Sequence, residues 1–583
     1  MLQLIKIIKK MKKFTTFIFV FTFLFIGCES EIDKSFIGVS YSQDLAIEDG
    51  FNGRLLLMFS KKLKPEPRFQ INDNKNTGII AGIDVEDWMP GELIKFNKNL
   101  LAYPINQLKD LPNGDYYVQA VLHKYETFKM ATGFELKLPM DQGEGQKWNI
   151  SPKNLYSTPQ KVNIQKDNFL EIKLNNEIPE IKPIEDSKFI KHVKIQSKLL
   201  SEFWGRPMFL QANVLLPKGF KKTGLKRYPL MIFHGHYPNT FRGFRNEPPD
   251  APKKDTIFNE RFGITGYKFI QENEAYNFYK QWISKSFPRF MVIEIQHQNP
   301  YYDDSYAVNS ANLGPYGDAI TYELIPHVEK LFDGIGDGWG RFLYGGSTGG
   351  WEALAAQVFY PSEYNGCFAA CPDPIDFRAF TIVDIYKDKN AYFDEGEFTR
   401  NLRPGIRDGV GRIKAYLKDI NRREYILGTN SRSGDQWDIW QAVYSPIGEN
   451  GYPKPIWDKL TGEIDKDVAN YWKENYDLRH IMERDWGKIG EDLEGKINIY
   501  CGDMDNYYLN NAVVLTEKFL EKTKNPYYDG EVDYGNGAEH CWNGDQQNPN
   551  HISRLRYNTM YLDKIKKRIK STAPKDNNLI NWD

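Results

Sequence analysis

Ser347 stands in Gly345-Gly346-Ser347-Thr348-Gly349-Gly350, between the apolar residues 342–344 and a helix-forming run at 351–359 stopped by Pro361. A strand, a sharp turn and a helix in that order can hold a serine hydroxyl on strained backbone as a nucleophile. Side chains at Gly345 and Gly349 would collide with the neighbouring strand and helix, so the turn needs glycine there. The pentapeptide alone is weak evidence in a chain with 46 glycines, and the flanking strand and helix give it its weight. A serine nucleophile needs a histidine to take its proton and an acid to orient that histidine. The chain supplies both, each after a strand. Gly502-Asp503-Met504-Asp505 follows the run ending at Cys501, and Glu539-His540-Cys541-Trp542 follows the run ending at Tyr534. Asp505 is the preferred acid, with Asp503 the alternative. His540 is the preferred base; His551 rivals it only in chain order.

Acyl transfer also needs donors for a developing oxyanion. The backbone N–H of Thr348 is one candidate and that of His236, in His234-Gly235-His236-Tyr237, the other. The H-x-H spacing also permits a pair of metal ligands, but no third ligand cluster is evident, so no metal is expected. The segment 303–312 is polar enough to line a pocket.

Positioning these residues requires a mostly parallel sheet. Strands near 192–196, 209–216, 228–233, 289–295, 341–345, 365–370, 496–501 and 531–534 alternate with helical stretches, which predicts an α/β fold with helices on both faces and the site at the carboxyl ends of the strands. The stretch 376–495, rich in Trp and Tyr, shows no sheet pattern and is expected to be a helical, lid-like insertion over Ser347. Its aromatics are expected mainly to form its own core, although rings of this kind also stack on sugars and phenolic acids. Residues 29–175 read as short strands separated by turns, the pattern of an antiparallel, immunoglobulin-like β-sandwich serving as a spacer or a wall beside the site. Residues 176–190, with two prolines among charges, read as a linker, and 191–583 as the catalytic domain.

The first residues look like a targeting segment, 1–28. Five lysines precede an apolar run at 14–26 that is short for a bilayer span. Phe25-Ile26-Gly27-Cys28 reads as a lipoprotein cleavage box with Cys28 as the lipidated residue, although Phe25 departs from the usual leucine. A lipid-anchored enzyme on the periplasmic side or outer surface of a bacterial envelope is therefore expected. Lys and Arg total 76 against 77 Asp and Glu, which gives no reason to expect nucleic acid as a partner. Cys367, Cys371, Cys501 and Cys541 allow three pairings, and spacing does not choose among them.

The segment 321–329, the turn at Ser347, the acid loop 502–508 and the loop 539–542 together resemble an esterase branch of the α/β-hydrolase fold. That branch includes enterobactin-esterase-like, feruloyl-esterase-like and mycolyltransferase-like enzymes. The resemblance covers roughly residues 190–570; it implies Ser347, Asp505 and His540 as a triad and no cofactor. It also implies carboxylic ester hydrolysis through an acyl-enzyme, on carbohydrate-linked or phenolic esters. Tannase-type esterases pair a cysteine after the histidine with one before the serine. Here Gly346 precedes Ser347, so that bridge is impossible, and a pair of Cys541 with Cys501 or Cys371 stays open. Two other readings stand: a serine peptidase of prolyl-oligopeptidase type, for which the front 140 or so residues are too short a propeller, and an inactive, glycan-binding surface lipoprotein. Acyl and alcohol specificity and oligomeric state are not written in these motifs.

Overall fold

The computed structural model describes residues 37–577 apart from 46–49, 141–146, 166–169, 183–184, 223–226, 237–240, 242, 251–257, 260–263, 550–552 and 576. The leader with Cys28, and His551, lie outside the described residues. No helix among the described residues is long and apolar enough to cross a membrane.

The main sheet has eight strands: β1 (Ile190–Ser197), β2 (Met208–Leu215), β3 (Leu230–His234), β4 (Met291–Gln296), β5 (Arg341–Gly346), β6 (Cys367–Ala370), β7 (Ile497–Gly502) and β8 (Glu531–Gly535). They lie in the order β1-β2-β4-β3-β5-β6-β7-β8. β2 runs antiparallel to both of its neighbours, and every other neighbouring pair is parallel. β3, β4, β5 and β6 are buried at every position, as near-continuous apolar runs must be when both faces are covered. Helices α1 (Tyr267–Trp282) and α2 (Thr348–Phe359) contribute to that cover, and α2 is buried at all but its last residue. On the other strands' side, Tyr561 stacks on Phe368 of β6 at 4.6 Å and on Tyr500 of β7 at 5.4 Å.

In front of this sheet, a three-stranded sheet (Leu170–Leu174, Ile37–Tyr41, Ile94–Phe96) faces a larger one built on Phe51–Ser60, Ile79–Trp88 and Gly114–Lys129. Val39, Phe96, Ile172 and Leu174 from the first meet Leu55, Leu57, Val118, Ala120 and Leu122 from the second. The pairing is antiparallel except between Ile37–Tyr41 and Leu170–Leu174, which run parallel. Asn176 and Glu177, the first residues of the expected linker, still pair with Tyr156 and Leu155.

The strand Phe51–Ser60 does not alternate; it is almost wholly buried because the sheet's second face is also covered. Leu56, Met58, Ile80 and Val121 pack there against Ile426 and Leu427 of the 376–495 stretch. That stretch holds four helices, α3 (Leu417–Leu427), α4 (Gln436–Tyr444), α5 (Lys466–Tyr476) and α6 (Leu478–Leu493). It also holds two hairpins, Phe393–Glu395 with Arg400–Leu402 and Pro404–Arg407 with Ile413–Tyr416. Strands of three or four residues are too short to show an alternating pattern, so the hairpins escape a reading by periodicity. The expected aromatic core is present: Phe380 packs against Trp437, Trp440, Trp457 and Trp472.

Candidate active site

Ser347 terminates β5 and precedes α2 with φ 61° and ψ −124°, a left-handed conformation that a side chain tolerates only under constraint. The constraint is visible on both flanks. A Cβ on Gly345 would sit 2.3 Å from Gly349 O, and one on Gly349 would sit 2.2 Å from His234 O at the end of β3. Ser347 N–H donates to Ala370 O of β6, and Ser347 O accepts from the amides of Gly350 and Trp351. The hydroxyl is thus held above the sheet edge at the start of a helix, where the Thr348 amide belongs to the first turn that no helical carbonyl satisfies.

The structure brings the predicted acid and base to this hydroxyl. His540 Nε2 is 2.9 Å from Ser347 Oγ, and His540 Nδ1 is 2.7 Å from Asp505 Oδ2. Asp505 is fully buried and reaches His540 from the loop after β7; its other oxygen accepts from the amides of Tyr507 at 2.8 Å and Leu509 at 3.3 Å. Gly502 permits that loop to cross the histidine loop, because a Cβ there would meet Ala538 O at 2.2 Å. Asp503 is elsewhere: it is exposed, and its carboxylate accepts from Gly537 N–H at 2.7 Å. Burial works against charge on His540, but neighbouring Cys541 and Asp505 outweigh it and hold the imidazole well above its ordinary range. No disulfide joins Cys367, Cys371, Cys501 and Cys541.

Several contributors carried no sequence signal. Arg407, from the second hairpin, donates through Nε to Asp505 O at 2.9 Å and through its backbone amide to Asn506 O at 2.9 Å, fastening the acid loop to the insertion. Asp373, just after β6, is buried with Oδ1 3.4 Å from Ser347 Oγ, while Oδ2 accepts from Tyr306 Oη at 2.7 Å, Thr348 Oγ1 at 3.0 Å and Trp440 Nε1 at 3.3 Å. Burial raises its carboxyl above the usual range despite those donors. A Pro-Asp pair in a loop has no pattern by which such a role could be read.

His236, expected to offer its amide, reaches Thr348 Oγ1 with Nε2 at 3.2 Å. Its side chain is opposed by Asp303 and Asp304; burial disfavours its charge, but the two carboxylates raise it well above the ordinary histidine range. His234 Nδ1 lies 3.7 Å from Glu352 Oε2, and His234 is not part of the cluster that His236 forms with Asp303 and Asp304. The two do not act as the H-x-H pair considered from the sequence.

Ser347 and His540 open onto a cavity of about 320 Å³. Trp437, Trp440, Ile420 and Ile406 of the insertion face it, with Tyr507 over His540 in edge-to-face contact at 4.8 Å. Its polar wall is Asp435, Gln436 and Arg423, and Asp73 reaches it from the front sheets. Arg423 binds Asp73 with Nε at 2.8 Å and Nη2 at 3.1 Å, and also pairs with Asp435. The insertion's aromatics therefore divide: Trp457 and Trp472 are its core, while Trp437 and Trp440 are both core and cavity wall.

No family model matches the chain, and no curated protein does. Among solved structures, a ferulic acid esterase is similar over 66% of this chain and 100% of its own, at 14% identity and a TM-score of 0.32. An S-formylglutathione hydrolase from Agrobacterium tumefaciens is similar over 66% of this chain and 97% of its own, at 12% identity and a TM-score of 0.30. Est1E from Butyrivibrio proteoclasticus covers 62% of this chain and 96% of its own, at 11% identity and a TM-score of 0.29. Each likeness is slight.

Proposed function

We propose that this chain is a serine hydrolase of the α/β-hydrolase kind that cleaves carboxylic esters through an acyl-enzyme. The observation that carries the reading is the aligned relay from Asp505 Oδ2 through His540 to Ser347 Oγ, at 2.7 and 2.9 Å, on a left-handed turn. Ser347 attacks the ester carbon as His540 Nε2 takes its proton. Asp505 holds the imidazole with Nδ1–H facing it, so that Nε2 is free to accept. The amides of Thr348 and His236 stabilise the oxyanion. His540 then returns the proton to the leaving alcohol, and water, activated by the same base, releases the acid. The chemistry asks for no cofactor.

The cavity supports a substrate with an aromatic or sugar face for Trp437 and Trp440 and hydroxyls for Asp435, Gln436 and Arg423, that is, a carbohydrate-linked or phenolic ester. In this reading residues 376–495 form a lid and residues 29–175, an immunoglobulin-like sandwich, form its outer support. Cys28 carries the lipid that tethers the enzyme to a bacterial envelope membrane, a role supported by the basic and apolar leader alone.

The test is Ser347→Ala. The variant should fold with an unchanged circular dichroism spectrum, lose fluorophosphonate labelling, and hydrolyse p-nitrophenyl acetate and feruloylated or acetylated oligosaccharides at a rate about 10⁴-fold or more below the parent. Labelling that persists in the variant sinks the assignment. Turnover of dipeptidyl amides in preference to esters would make the protein a peptidase instead.

A further inference from the structure

The loops after β3 and β4 meet beside the nucleophile in a knot of ionisable groups that the relay does not use. His236 comes from the first loop, Asp303 and Asp304 from the second. His236 Nδ1 lies 2.7 Å from Asp304 Oδ2 and 3.5 Å from Asp303 Oδ1, and one donor atom from each of the three residues lies within 4.8 Å of the others. Asp303 and Asp304 are 1% and 0% exposed. His236 is more open and lines the cavity with Ser347.

Proton accounting shows what the knot lacks. Thr348 Oγ1 donates its only proton to Asp373 Oδ2, so toward His236 Nε2, 3.2 Å away, the hydroxyl accepts. Nε2 therefore carries a hydrogen, and a neutral His236 turns the lone pair of Nδ1 toward two carboxylates. A proton, on Nδ1 or on a carboxyl, or else a cation lies between them. The hydrogen-bond geometry for a proton on Nδ1 is poor. Nδ1, both oxygens of Asp303 and Oδ2 of Asp304 are buried and make no hydrogen bond, even though one separation is only 2.7 Å. Close approach without hydrogen-bond alignment is the geometry of donor atoms aimed at a shared point rather than at each other.

The surroundings agree. His234, His236, His297, Asp303, Asp304 and Glu352 hold nine of the twenty-one buried side-chain nitrogen and oxygen atoms without a hydrogen-bond partner among the described residues. Unsatisfied groups gathered in one place call for ordered water or an ion. Among the described residues the other cation in reach is Lys147, whose Nζ is 3.6 Å from Asp303 Oδ2 on a side chain 46% exposed; it is too far for a hydrogen bond and too wet to neutralise both carboxylates.

We propose that His236, Asp303 and Asp304 bind a divalent cation in the cavity wall next to Ser347. One imidazole and two carboxylates suit Zn²⁺ or Mn²⁺ better than Ca²⁺ or Mg²⁺, which favour all-oxygen shells. Ligand atoms on a tetrahedral zinc stand roughly 3.3 Å apart; His236 Nδ1 and Asp303 Oδ1 are 3.5 Å apart, and the 2.7 Å from Nδ1 to Asp304 Oδ2 has to widen as the ion enters. The Nε2–H bond to Thr348 Oγ1 is the outer contact that fixes the ligand tautomer. Such an ion would tie together the loop that carries the His236 amide and the loop 297–306. The site depends on its own three side chains, so it stands even if Ser347 is not the nucleophile.

The test strips purified full-length protein with a chelator, reloads it with Zn²⁺ or Mn²⁺ separately, and measures bound metal by plasma mass spectrometry and affinity by calorimetry. About one ion per chain is expected, retained in Ser347→Ala and lost in Asp303→Asn/Asp304→Asn. Should that double variant misfold by circular dichroism, His236→Ala, whose side chain is partly exposed, is expected to weaken affinity by about tenfold or more. A wild-type protein that binds neither metal more tightly than about 1 mM, or a His236→Ala variant that binds as tightly as wild type, overturns the site and leaves a plain imidazolium–carboxylate pair.

Discussion

Replacing Asp505 by Asn tests the relay more severely than removing the serine, because the structure dictates which way the new amide must face. Asp505 Oδ1 accepts from two backbone amides, Tyr507 at 2.8 Å and Leu509 at 3.3 Å. An asparagine keeps those bonds only by placing its oxygen there, which points its NH₂ at His540 Nδ1. Nδ1 must then accept, the imidazole proton moves to Nε2, and Nε2–H faces Ser347 Oγ across 2.9 Å. A base already protonated on that nitrogen cannot take the serine proton. The side chain is fully buried, so no water substitutes for the lost acceptor.

The same wrong-tautomer arrangement in a serine–histidine–acid relay lowers kcat by about 10⁴, or roughly 5.5 kcal/mol of transition-state stabilisation. KM should move little, since Asp505 does not face the cavity. The assay is steady-state hydrolysis of a p-nitrophenyl ester beside the rate of fluorophosphonate labelling, with Asp503→Asn as the control. Asp503 is exposed and its carboxylate accepts from Gly537 N–H of the histidine loop, a bond that an asparagine oxygen keeps, so its variant should stay within about threefold of wild type. If Asp505→Asn kept more than a tenth of wild-type kcat, or if Asp503→Asn were the damaging change, the assignment of the acid would fall.

The acidic limb of kcat/KM should have its midpoint above pH 6.5, because His540 must be neutral to act and its pKa is held above the ordinary value; a midpoint below 6.5 contradicts this. His123, buried in the front sheets beside Arg432, has its pKa pushed down to about 3, so it contributes stability that is present above pH 6.5 and is lost as pH falls. The loss amounts to about 1.4 kcal/mol between pH 7.5 and 5.5. In urea titrations at those two pH values, His123→Gln should shrink the difference by that amount, and an unchanged difference excludes the effect. Arg407→Ala frees the acid loop from the insertion, and kcat should fall roughly tenfold to a hundredfold with the fold intact; unchanged kcat would show that the loop positions Asp505 unaided.

The residues legible in the sequence were those whose chemistry requires a fixed local backbone. Ser347 is marked by the glycines that its left-handed turn demands, and Asp505 and His540 by their places just beyond strands. The β5 to β7 part of the sheet was legible because strands buried on both faces are largely apolar, whereas β8, half-buried along most of its length, was marked by its β-forming residues and the turn after it. Asp373, Arg407 and Asp73 were not legible. Each acts through a contact between segments far apart in the chain, and nothing local distinguishes a carboxylate facing Ser347 from one facing solvent. Asp303 and Asp304 were seen as polar lining, while the loop pairing that sets them against His236 was hidden for the same cause. The two hairpins were missed because strands this short leave no period.

One local feature was present and misplaced. The run Leu55-Leu56-Leu57-Met58 is too apolar for a sandwich strand with one wet face, and the structure shows why: Leu55 and Leu57 fill the sandwich, while Leu56 and Met58 meet Ile426 and Leu427 at the end of α3. α3 also carries Arg423, whose bidentate bond to Asp73 fixes it in the cavity wall. Arg54 donates to Ile426 O at 2.9 Å, and Arg432 pairs with Asp84 at 3.3 Å, closing the same seam. The front sheets are therefore more than a spacer. Without them, α3 would expose its apolar end, Arg423 would lose a partner, and the wall opposite Ser347 would have nothing to hold it at a fixed distance from the relay. The shape of the pocket is set by residues 350 positions apart in the chain, which must meet for its wall to be complete.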